Sequence, residues 1–185
     1  MYTMAQFQAM QRQKKRPILY FWGENPTAQN PITKDCLSQW YPASFEEDGI
    51  YYATSEHYMM AQKAMLFQDD EKVYEILNAI HPSEAKKLGR QVRHFSRNVW
   101  DQHKTDIVTR GNVLKFQQNE SLRQFLYETK GKWLIEASPV DNIWGIGRGE
   151  EDPLLEQFET WSGQNLLGFS IMEARERLFE ETMFS

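Results

Sequence analysis

The chain has 185 residues and a single cysteine, Cys36. One thiol excludes an intramolecular disulfide framework and any multi-cysteine zinc site. It fits a reducing compartment, and the cytoplasm is the expected location. Long apolar runs are missing as well. No stretch approaches the roughly 18 residues of a membrane-spanning helix, so no membrane role is expected. Residues 1–16 lack the apolar segment of a secretory signal. With Arg12, Lys14, Lys15 and Arg16, residues 1–17 read as a polar, solvated leader. Histidine is sparse: His57, His81, His94 and His103 show no His-x-x-x-His spacing, and no metal or other cofactor is expected. Cys36 has no evident catalytic partner. There is no Gly-x-Ser-x-Gly elbow, no P-loop and no dinucleotide fingerprint. An excess of positive charge is lacking too. The balance is 21 Lys and Arg against 26 Asp and Glu, a net charge of −5. That argues against a protein that coats duplex DNA, which needs a basic surface.

What is abundant is aromatic: 11 Phe, 8 Tyr and 6 Trp make up 14% of the chain. With 41% hydrophobic and 25% charged residues, the composition is globular. The length suits one domain with a core that needs no staples. Residues 18–22 form a short apolar run and predict a strand. Residues 25–35 carry two prolines and read as a loop. Residues 45–52, with Asp48-Gly49 between apolar flanks, predict a hairpin. Helices are expected over residues 55–67, 70–79, 83–92, 100–116, 121–129 and 165–180, and a strand over 133–136. The fold class is therefore α+β: a mainly helical single domain over residues 18–185 with a few short strands.

Charge is uneven along the chain. Residues 84–104 hold six Lys or Arg and two acids, whereas residues 150–185 hold nine acids and two Arg. Lys86, Arg90, Arg93 and Arg97 share a face if one helix runs that far. Such a face either meets a phosphate or is a solvated flank.

Two segments could carry chemistry. In the first, Glu56 and Lys63 are seven apart, which stacks them on one helical face. A carboxyl can move a proton, and a desolvated amine can attack a sugar carbon. The alternative is structural: a first-turn Glu suits the helix dipole, and a Lys can snorkel. In the second, Glu136, Asp141 and Trp144 lie within a glycine-rich stretch at the end of a strand. A ring there can stack on a nucleobase, and a carboxylate can stabilise an oxocarbenium-like charge. The alternative is a tight turn around a core Trp.

Taken together the motifs resemble the YbiA-like, or NADAR, family over about residues 18–180. They are Tyr20-Phe21-Trp22, Leu37-Ser38-Gln39-Trp40-Tyr41-Pro42, Thr54-Ser55-Glu56-His57-Tyr58 and Ala61-Gln62-Lys63. Further on come Ala85 to Arg90, Trp100-Asp101, Lys115-Phe116, Glu136 to Pro139, Asp141 to Gly147 and Gly163 to Gly168. The resemblance implies a YbiA-like fold and a metal-independent N-glycosidase. The substrate is either ADP-ribosylated guanine in DNA or a ribosylamino-pyrimidine phosphate of the riboflavin pathway, so the implied partner is a nucleotide or an ADP-ribosylated nucleic acid. It also implies that Lys63 forms a Schiff base with the opened ribose while Glu56 moves protons. The expected catalytic groups are Glu56, Lys63 and Asp141. Trp22, His57, Arg90, Trp100, Glu136, Trp144, Gly145 and Asn165 are expected around the substrate. Gln39 departs from the family's Asn, and Met59 and Met60 replace its Phe and Gln. Two rivals stand beside the enzyme: a non-catalytic ADP-ribose or nucleotide-binding module, and an interaction protein docking through its acidic C-terminal part.

Overall fold

A computed structural model describes residues 2–23 and 31–180. Strand β1 (Ile18–Phe21) pairs in parallel with β4 (Trp133–Glu136), in the register Ile18 to Trp133 and Phe21 to Glu136. A separate hairpin joins β2 (Phe45–Glu47) to β3 (Ile50–Tyr52). Its turn residues Asp48 and Gly49 have φ of 51° and 78°. Two consecutive left-handed residues make the tight turn whose twist matches the strands, which is why Asp-Gly stands there.

Between the hairpin and β4 run α2 (Ser55–Leu66), α3 (Asp70–Leu77), α4 (Pro82–Gly89), α5 (Arg97–Gln118) and α6 (Glu120–Glu128); α7 (Leu166–Glu180) follows β4. The sequence places these elements within a few residues. The expected loop at 25–35 lies largely outside the described residues. Helix α5 packs along α7, and α2 packs on α3, α4 and α5. The parallel pair lies against α7, with Leu134 and Ile135 fully buried. None of the described helices is long and apolar enough to cross a membrane.

Two expectations need correction. The basic quartet does not share a helix, because α4 ends at Gly89. Arg93 instead grips the buried Asp69, and Arg97 opens α5 and pairs with Asp101 at 3.6 Å. Lys86 and Arg90 alone stay together. The anticipated solvated leader is also ordered. Residues Met4–Gln13 form α1, capped by Thr3 in a capping box with Gln6. The basic residues draw attention to its wet face, but Phe7 is fully buried and stacks on Trp161, with centroids 5.3 Å apart, and meets the edge of Trp133 at 5.1 Å.

Phe7→Ala should therefore lower stability by about 3 kcal/mol in urea unfolding, the usual cost of emptying a buried aromatic site. Arg12→Ala, which removes an exposed ion pair to Glu159, should cost less than about 1 kcal/mol. A helix that merely hung in solvent would leave both values near zero.

Candidate active site

A cavity of about 860 Å³ opens where the two parallel strands end. That is the position at which parallel strands commonly present a ligand site. Trp22 and Gly23 follow β1, and Glu136, Ser138 and the 140–144 loop follow β4. Helix α2 supplies Glu56, Met59, Met60 and Lys63, the i, i+3, i+4, i+7 stripe of one helical face. The turn at Ser38, Gln39 and Trp40, the pair Lys86 and Arg90, and Trp100 of α5 complete the wall.

Glu56 sits in the first turn of α2, behind the N-cap Thr54, and is 3% exposed. Its backbone N–H donates to the Gln39 carbonyl at 3.0 Å, which closes the 38–40 turn onto the helix. Burial pushes its carboxyl up to about 7; Lys86, the Trp40 indole and Arg90 pull the other way, and Asp141 adds to the rise. Glu136 is pushed up to about 8 by burial, then by Asp141 and Glu56, against Lys86. One oxygen of each carboxyl, Oε1 of Glu56 and Oε2 of Glu136, is sealed from water without a hydrogen-bond partner.

Lys63 Nζ donates to the Gly89 carbonyl at 2.7 Å. It lies 4.4 Å from the Phe95 ring centroid and 5.7 Å from that of Trp100. Gly89 also packs directly on Met60, whose side chain a Cβ there would enter. Burial, and then Arg90, lowers the affinity of Lys63 for its proton and so favours the neutral amine. Asp141 Oδ1 accepts from the N–H groups of Ile143 and Trp144, both at 2.8 Å, which fixes the loop under Trp144.

Of the residues expected from sequence, Glu56, Lys63, Asp141, Trp22, Arg90, Trp100, Glu136 and Trp144 meet at this cavity. Three do not line it. His57 is buried beside it: Nε2 donates to the Ala79 carbonyl at 3.0 Å, and Nδ1 accepts from the Thr54 hydroxyl at 2.8 Å. Burial lowers the ring's affinity for a second proton, against the opposing pull of the Ala79 bond, and that bond ties α2 to the end of α3. Gly145 is packed against Ser138 and the Glu136 carbonyl, with no room for a Cβ. Asn165 is fully buried and bonded to β4. Trp40, Lys86 and Ser138 are not among the residues expected around the substrate, although they line the cavity. Lys86 carried a usable signal, because it lies one turn from Arg90.

The NADAR domain model matches residues 20–179. The chain belongs to the NADAR family. An N-glycosidase of Acanthamoeba polyphaga mimivirus is 42% identical over 163 residues, covering 85% of this chain and 94% of that protein. Protein irg-1 of Caenorhabditis elegans is 34% identical, covering 80% and 77%. N-glycosidase YbiA of Escherichia coli is 33% identical, covering 71% and 73%. The NMR structure of E. coli YbiA superposes with a TM-score of 0.71 at 28% identity, covering 91% of this chain and 88% of that one. The α+β architecture is thus that of YbiA.

The raised carboxyl has a consequence for folding. Unfolded, Glu56 releases its proton near an ordinary 4.5; folded, it holds it to about 7. Between those values the folded chain binds more protons, so stability falls as pH rises through the window. Glu136 acts in the same sense up to about 8. Glu56→Gln should match the wild type near pH 4.5 and exceed it by roughly 2 kcal/mol at pH 9. Urea unfolding at both pH values checks this; equal stabilities at pH 9 would refute it.

Proposed function

We propose that this NADAR protein is an N-glycosidase that cleaves a ribose C1–N bond by way of a lysine Schiff base. The observation that carries the reading is the convergence of Lys63 and Glu56 on one enclosed wall, with the amine biased towards its neutral form and the carboxyl able to exchange a proton near neutrality. An amine attacks carbon only when unprotonated, and its own proton must then go to a base. Lys63 attacks C1, the bond to the base nitrogen breaks with its electron pair going to that nitrogen, and Glu56 takes one proton from the Lys63 nitrogen, whose other proton passes to the ring oxygen as the C1–O bond breaks. The ring opens to the imine, and water releases the sugar. Asp141, oriented by its two backbone N–H donors, stabilises positive charge that develops on the ribose.

The rest of the wall supports a substrate class. Four of the chain's six tryptophans (Trp22, Trp40, Trp100 and Trp144) line the cavity. Flat rings stack on a flat base. Lys86 and Arg90 line it too, and neither forms an ion pair among the described residues. Unpaired cations beside aromatic faces suit a phosphorylated nucleoside. ADP-ribosylated guanine in DNA and a ribosylamino-pyrimidine phosphate both meet that description. The N-glycosidase names of the mimivirus protein and YbiA support cleavage of an N-glycosidic bond and do not specify the substrate.

Incubation with each substrate, with mass spectrometry of the released ADP-ribose or ribose phosphate, separates the two. Borohydride should trap the sugar on Lys63. Lys63→Ala should abolish trapping and turnover, and Glu56→Gln should slow turnover by about 10²–10⁴-fold. Undiminished turnover in Lys63→Ala removes the covalent route. Tight binding with no turnover in the wild type makes the protein a binding module.

A further inference from the structure

The site contains a second buried carboxyl group that the scheme above leaves idle. Glu136 ends β4, whereas Glu56 begins α2, so two independent elements bring their carboxyls to one cavity. Glu56, more than nine-tenths buried, keeps an unpartnered oxygen there, and so does Glu136. Buried polar atoms are rarely left unpaired unless something else completes them, and here a substrate atom would.

The neighbours of the two carboxyls differ in sign. Facing Glu56 are Lys86 and Arg90 of the α4 segment and the Trp40 indole, with Asp141 the opposing charge. Facing Glu136 are two acids, Asp141 from the following loop and Glu56 from α2, with Lys86 the opposing charge. Positive neighbours favour the ionised form and negative neighbours the protonated one. Environments that push two carboxyls apart assign one as base and the other as acid.

We infer that Glu136 is the general acid of this site, donating a proton to the departing base nitrogen. The inference rests on the N-glycosidase reading. As the C1–N bond breaks, its electron pair goes to the base nitrogen, which takes the proton from Glu136 and leaves it a carboxylate. Glu56 gains the proton that Lys63 loses in forming its bond to C1. One proton passed from Glu56 to Glu136, directly or through solvent, resets the pair. Water supplies the atoms that later free the sugar and restore the lysine. The order of proton affinity, about 8 for Glu136 and about 7 for Glu56, agrees with this division.

The test compares leaving groups within one variant, so the fraction of folded protein cancels. One substrate carries the natural base. The other is the same ribose phosphate bearing 4-nitrophenolate, which departs without a proton. Glu136→Gln should lose at least about 100-fold on the base substrate and less than about 10-fold on the nitrophenyl one. On the base substrate, the wild-type rate should fall on the alkaline side of the Glu136 range, and the residual rate of Glu136→Gln should not. Equal losses on both substrates, an undiminished rate, or an alkaline limb that persists in the variant each overturn the assignment while leaving the N-glycosidase reading intact. A wild type that cleaves neither compound removes both.

Discussion

Everything at the site hangs on how the free edge of β4 is closed. A two-stranded parallel sheet leaves a row of unpaired backbone groups on each outer edge. Here one carboxamide takes the place of a third strand. Asn165 Oδ1 accepts from Glu136 N–H at 2.8 Å, and its Nδ2 donates to the Leu134 carbonyl at 3.0 Å. To do this from the threshold of α7 the residue adopts φ of 52°, a left-handed conformation that Asn tolerates better than most side chains. Its own N–H bonds the Gly145 carbonyl, and neighbouring amides of Gly163 and Leu167 bond Ile146 and Trp144. One residue thus holds the strand that ends in Glu136, the loop that carries Asp141 and Trp144, and the start of α7. Asn165 governs the site without reaching the cavity.

A similar relay works from the other side. Lys115 of α5 is fully buried, and its ammonium donates to the Ser38 carbonyl at 2.8 Å between the rings of Phe116 and Tyr41. The next carbonyl, of Gln39, accepts the Glu56 amide. The longest helix therefore fixes the turn that presents Trp40, and that turn fixes the first residue of the cavity-lining stripe on α2. A buried charge of this kind is costly unless it is bonded, and removing its partner costs more than the bond itself contributes. Met59 and Met60 line the wall between these anchors.

The fold was largely legible because its local signals agree. Asp48-Gly49 can form little but a hairpin turn, Pro82 suits a first helical turn, and α2 and α7 repeat with helical periodicity. What escaped notice depends on contacts distant in sequence. Phe7 belongs to the core only because Trp133 and Trp161 arrive beside it. Helix α4 ends at Gly89, and no feature of the charge pattern announces it. At the site, spacing placed Glu56 and Lys63 on one face. The same reasoning could not separate residues that line a cavity from those that build its frame, so Asn165, His57 and Gly145 were grouped with the substrate. Polar residues and glycines inside a motif serve both purposes.

Hydrogen-bond completeness makes that separation. The charged or ionisable groups buried for structural reasons have partners: Lys115 the Ser38 carbonyl, Arg175 the Thr129 and Lys132 carbonyls, Asp69 the Arg93 guanidinium, and His57 two bonds. The carboxyls at the cavity each keep an unpartnered oxygen, and so does the amide nitrogen of Gln39 beside them. Elsewhere the orphaned buried atoms are neutral hydroxyls, one amide oxygen and one indole nitrogen, whose desolvation costs far less than that of a charge. A fold that completes its other buried charges and leaves these incomplete has placed its least stable polar atoms where a ligand can complete them. The same choice explains the charge balance. On the proposed reading a net negative chain can still take an anionic substrate, because Lys86 and Arg90, which form no salt bridge among the described residues, line the cavity.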